Sequence, residues 1–107
     1  MPTIDLSPLT DNGRIHNLSG KAKGIDARRE LNLDDLDQAP EHVTIAVPDD
    51  LYAISPSFFL GLFSQSLAKF GSRDAFLAHY QFQADQAVLD QVNDGISQHF
   101  IRPVALG

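Results

Sequence analysis

The large apolar residues of this chain crowd most densely into ISPSFFLGLFSQSLAKFG, residues 54–71. At about 100° per residue, Phe58, Phe59, Leu60, Leu62, Phe63, Leu67 and Phe70 share one broad arc, with Gly61, Ser64, Gln65, Ala68 and Lys69 outside it. Ser55 is placed to cap the amino end and Pro56 fits the first helical position, where a missing N–H costs nothing. Gly71 supplies a left-handed stop. The pattern predicts a helix buried along a wide face, with the rest of the chain arranged around it.

Period-two patterns predict the strands. Val43 to Val47 is β-branched at alternate positions and ends at Pro48, and it is the candidate central strand. Ala75 to Phe82 sets Phe76, Ala78, Tyr80 and Phe82 on one face and Leu77 and His79 on the other, as expected of a strand covered by helices on both sides. Thr3 to Leu6 and Arg14 to Leu18 flank the turn cluster Thr10-Asp11-Asn12-Gly13 and read as a hairpin, with Pro8 at an edge. Two further helices follow from spacing. One begins after Ser19, a candidate cap, with Ala22, Ile25, Ala27 and Leu31 as its apolar stripe. The other begins at Asp85, buries Val88, Leu89, Val92, Ile96 and Phe100, and is stopped by Pro103. Asp34, Asp35, Asp37, Pro40 and Glu41 read as a solvent-facing acidic loop, and Val104 to Leu106 as an optional last edge strand. Strands alternating with helices predict one α/β domain over residues 1–107, a mixed sheet of about four or five strands carrying about three helices, with right-handed crossovers.

Composition narrows the function classes. A formal net charge of −6 works against general nucleic-acid or anionic-membrane binding, which needs clustered cations. With no cysteine there is no disulfide, thiolate metal site or cysteine nucleophile. The amino terminus carries no basic, apolar leader pattern, and Phe58 to Phe63 is far too short to span a bilayer, so a cytoplasmic protein is expected. His16, His42, His79 and His99 show no metal-ligand spacing, and no nucleophile elbow or HExxH is present, so the expectation is a protein without catalysis or cofactor.

Two stretches carry candidate binding chemistry. In SGKAKG, Gly20, Lys21, Lys23 and Gly24 gather lysines and glycines at a helix start, where backbone N–H groups attract anions. The same residues also suit a turn into a helix with solvated lysines, since the Walker spacing is missing. At the second stretch, Ser55 and Ser57 stand at the positive end of the main helix, where a phosphate would be held and would change the surface a partner meets. Ser55 suits capping and Ser57 suits modification or contact. Asp49 and Asp50, just upstream, are either an acidic patch or turn residues, and Phe58 is a candidate contact.

The run VTIAVPDDLYAISPSFFLGLF, with SGKAKGIDAR upstream, resembles the STAS-like domains, whose members read as a strand, Ile-Ser-x-Ser-Phe, then an amphipathic helix. The resemblance spans most of Ser19 to Phe82 and implies a small STAS-like α/β sandwich. It is also similar to anti-sigma factor antagonists, which bind a kinase-type ATPase and are switched by phosphorylation of a serine at this helix start. By that resemblance Ser57, then Ser55, is the site, although no Asp directly precedes the serines as it does in the antagonists. The implied role is a non-enzymatic regulatory module with a protein partner, a kinase-like ATPase. The alternative is a domain binding a nucleotide or other phosphate-bearing ligand near Gly20, Lys21, Lys23 and Gly24.

Overall fold

Residues 2–11 and 13–100 are described by the computed structural model. Strand β3, Val43–Ala46, sits between β1, Thr3–Asp5, and β5, Tyr80–Gln83, in a three-stranded sheet whose pairings are both parallel. The register aligns Ile4 with Ile45 and Phe82, and Val43 with Tyr80, so these side chains form the inward row. Thr3, Asp5, Thr44, Ala46, Gln81 and Gln83 make the outward row, which is exposed at both edge strands. The expectation that both faces of β5 would be covered is therefore corrected, because glutamines alternate with the aromatic residues and face outward.

The expected hairpin does not form. Asp5 accepts the Ser7 N–H at 2.8 Å, and Pro8 starts a 3-10 turn, Ser7–Thr10, which carries the chain away from antiparallel pairing. The donors of the first segment go to the central strand instead, with Leu6 N–H on the Ala46 carbonyl at 3.0 Å. Strand β2, Asn17–Leu18, pairs in parallel with β4, Ala53–Ile54, as a separate two-stranded sheet. Every pairing among the described residues is parallel, split three strands and two, in place of one mixed sheet.

Helix α1 is Lys21–Glu30, α2 is Leu33–Leu36, α3 is Pro56–Phe70, α4 is Arg73–His79 and α5 is Gln86–Phe100. The ends of α3 are as the sequence predicts. Ser55 Oγ accepts the Phe58 N–H at 3.1 Å, and Gly71 sits at φ +80°. Its buried surface is wider than the arc, however, and takes in Gly61 and Ser66, because α1 and α5 pack on it from two sides. Gly61 lies against Gly24 of α1. A Cβ on Gly24 would stand 2.2 Å from the Phe58 carbonyl oxygen, and one on Gly61 2.3 Å from that of Lys21. Backbone meets backbone there, and this contact turns α1. Gly24, Ala27 and Arg28 face inward, whereas Ala22 is exposed and Ile25 is 41 % exposed. Gly20, not Ser19, is the residue at the start of α1, and no side chain caps it.

Where a strand was expected from Ala75, Ser72 Oγ accepts the Ala75 N–H at 3.1 Å and opens α4, leaving the strand to begin at Tyr80. Phe76 and Tyr80 are four apart, a spacing that serves a helix and an alternating strand alike. The expected acidic loop contains α2, and Asp37 just beyond it is buried. Helix α5 buries Val88, Val92 and Ile96 as predicted, with Gly95 under the Phe59 ring, whereas Leu89 is half-buried and Phe100, at the helix end, is exposed. Phe59, Phe63, Phe70, Phe76, Tyr80 and Phe82 form one aromatic cluster between α3 and the sheet. Among the described residues no helix is long and apolar enough to cross a membrane. Pro103 and Val104 to Leu106 lie outside the described residues.

Candidate functional site

Three places gather polar side chains. The first is the loop from Pro48 into α3. Its backbone is stitched to the segment around β2: Tyr52 N–H reaches the His16 carbonyl at 2.9 Å, and Ser55 N–H reaches that of Leu18 at 2.8 Å. The Ile54 N–H is held by Gln91 Oε1 of α5 at 2.6 Å, and Leu51 is buried beneath. On this frame His16 Nδ1–H donates to the Asp50 carbonyl at 2.8 Å, since a carbonyl can only accept. The His16 ring in turn stacks on Tyr52 at 5.2 Å and 18°. Tyr52 is 61 % exposed. An aromatic ring facing solvent on a fixed backbone has little conformational freedom left to lose on contact.

The candidate residues of this stretch divide. Asp49, Asp50 and Ser57 are exposed, and Ser57 Oγ lies 3.1 Å from the capping Ser55 Oγ. Phe58 is 2 % exposed and is core, which corrects its expected role as a surface contact. Its position explains why: the first turn of α3 already faces α1 there. Tyr52 and His16 were not singled out from the sequence. The available signal was a large aromatic between a turn and a helix cap, in a segment with no partner at helical or strand spacing.

The second place is a cleft of about 290 Å³ between α1, the 3-10 turn and β2. Leu9, Leu18, Ala27 and Phe58 line its floor, and Ser19, Lys23, Asp26 and Glu30 its rim. Of the anion-site candidates, Lys23 reaches this rim, while Gly20 and Lys21 are exposed at the helix start. Gly24 belongs to the crossing with α3, and its N–H is bonded to the Gly20 carbonyl at 3.1 Å. The four residues are thus not presented together.

The third place is buried. Arg28 Nε donates to Asp34 Oδ1 at 3.1 Å, Nη2 to Asp34 Oδ1 at 2.8 Å and to Asp37 Oδ2 at 2.7 Å, and Nη1 to the Leu62 carbonyl at 3.0 Å and Ser66 Oγ at 2.8 Å. Asp37 Oδ1 also accepts from Ser66 Oγ at 2.6 Å and from the Tyr80 hydroxyl at 2.5 Å. All the guanidinium donors are used. Burial, then the Asp37 carboxylate, pushes the Tyr80 phenol far above its ordinary 10.0. With every guanidinium donor engaged, the set holds elements together, and a small cleft lined by Ile25, Arg29 and Gln65 borders Arg28 and Asp34 on the solvent side. The sequence reading places Asp37 in a solvent-facing loop and gives Arg28 no partner, so the cluster is not legible from it. The signal was Arg28 one turn after Gly24, on the face that closes against α3.

Among the described residues no group of three or more His, Asp and Glu is arranged to hold a metal. His79 is engaged structurally, with Nε2–H on the Leu36 carbonyl at 2.7 Å. Fold and surface together define a small parallel α/β domain with an ordered aromatic and acidic tip. Set against family models, curated proteins and solved structures, the chain matches none of them.

Proposed function

We propose that this chain is a STAS-like, non-enzymatic regulatory module that docks a protein partner, a kinase-like ATPase, through the tip formed by His16, Asp49, Asp50, Tyr52 and Ser57. The observation that carries the reading is Tyr52, 61 % exposed yet held against His16 on a backbone tied to two other segments. Aromatic residues of that kind dominate the energetics of interfaces. Ser57 adds the switch. It is exposed in the first turn of α3, and a phosphate there would bring about −1.5 to −2 charges to a surface that Asp49 and Asp50 already make acidic. The added charge would repel an acidic partner face or recruit a basic one.

Affinity capture from the host, followed by titration of a candidate ATPase, tests the proposal. Tyr52→Ala is expected to weaken association at least about tenfold, the loss of a residue worth 1.4 kcal/mol or more. Ser57→Asp is expected to shift affinity and Ser57→Ala to leave it near wild type. If all three variants bind as the wild type does, the tip is not the docking surface.

A further inference from the structure

We propose that the cleft between α1, the 3-10 turn and β2 is a binding site for a small amphipathic amine, its ammonium group held by Asp26 and Glu30 and its hydrocarbon body laid on Leu9, Leu18, Ala27 and Phe58. The volume, about 290 Å³, lies just under the range for ligand sites, which runs from about 300 to 1,000 Å³, and so suits a small molecule. The shape of the chemistry follows from α1. Lys23, Asp26, Ala27 and Glu30 recur at helical spacing and so share one face, which forms a wall of the cleft. An apolar residue thus lies between two carboxylates four residues apart.

Those carboxylates repel one another across one turn, and Glu30, in the last turn of α1, also meets the negative end of the helix dipole. Neither has an ion pair among the described residues, where Arg28 pairs with Asp34 and Asp37. Lys23 neighbours Asp26 at i,i+3 and lies two turns from Glu30, so one cation against two carboxylates leaves the rim with one excess negative charge, greatest at Glu30. A cation seated beside Asp26 and Glu30 relieves both unfavourable arrangements, whereas a phosphate would have to approach them. The chain's net charge of −6 attracts the same sign of ligand from a distance. Below the polar rim, Leu18, Ala27 and Phe58 form a nearly closed floor, and half-buried Leu9 with Ile15, 42 % exposed, supplies the uncovered apolar surface. Apolar surface of that kind is what the hydrocarbon part covers.

The site stands independently of the docking tip, and its test needs no partner. The full chain is titrated with phenethylamine, and amide shifts are followed by heteronuclear NMR. Phenethyl alcohol, 3-phenylpropionate and adenosine monophosphate serve as comparisons of neutral, opposite and polyanionic charge. Saturable shifts centred on Leu9, Leu18, Ser19 and Ala27 are expected with phenethylamine, and weaker ones with the alcohol. Asp26→Asn and Glu30→Gln are exposed changes that keep the fold, and each is expected to weaken amine binding about two- to fivefold. Lys23→Gln should tighten it slightly. Absence of saturation, equal binding by the doubly neutralised variant, or a preference for 3-phenylpropionate or the nucleotide would overturn the assignment.

Discussion

Tyr80 shows how far one side chain can be moved from its solution chemistry. Fully buried, it gives its hydroxyl proton to a carboxylate that is itself held by Arg28 and Ser66. In the folded protein the phenol stays protonated well past 10.0, while in the unfolded chain it ionises near that value. A raised folded value means that stability is complete below pH 10 and is lost as pH climbs above it. The loss is about 1.4 kcal/mol per pH unit for one proton. Chemical denaturation between pH 9 and 11 should therefore show a shallower alkaline decline in Tyr80→Phe than in the wild type, by about 1.4 kcal/mol in total over that interval. Identical slopes would mean that the hydroxyl is not held in this way.

At the scale of elements, the α1 and α3 crossing is set by two glycines with no space for a methyl group between them. Gly24→Ala places a side chain against backbone that cannot swing aside, so the helices must separate along their contact. A loss of about 2 kcal/mol or more is expected in urea unfolding. Gly61→Ala should cost a similar amount, and the double variant less than the sum, since one separation accommodates both. The crossing also shows what could be read in advance. Helix α3 was legible to the residue because Ser55, Pro56 and Gly71 act within a turn of themselves. Strand β3 was legible because alternate residues are buried, and helix α5 because one face is buried from Val88 to Ile96. The hairpin was misread because the choice of strand partner is not local: Thr3–Asp5 pairs with a segment some forty positions away. Likewise, the inward side of α1 follows from glycines, which carry no hydrophobic signal. Of the tip, Ser57, Asp49 and Asp50 were legible as polar residues around a helix start. Tyr52 and His16 were not, because their pairing joins two segments of the chain distant in sequence.

For the whole molecule, the buried ionic cluster acts as a bolt, since Arg28 comes from α1, Asp34 from α2, Asp37 from just after it, Ser66 from α3 and Tyr80 from β5. Asp37→Ala leaves a buried guanidinium without its main counter-charge and should cost about 3–5 kcal/mol. Asp34, whose side chain is 76 % exposed, belongs to the same cluster from the solvent side. Asp34→Ala should cost less than about 1 kcal/mol. Equal losses in the two variants would show that the cluster is not buried as described. The placement of the tyrosines has a practical outcome as well. With no tryptophan and two tyrosines in the chain, intrinsic fluorescence comes from one ring at the tip and one in the core. Tyr80→Phe leaves an emitter that senses a visitor at the surface, and Tyr52→Phe leaves one that senses melting of the interior. Recognition and denaturation can thus be followed optically and apart, without attaching a dye.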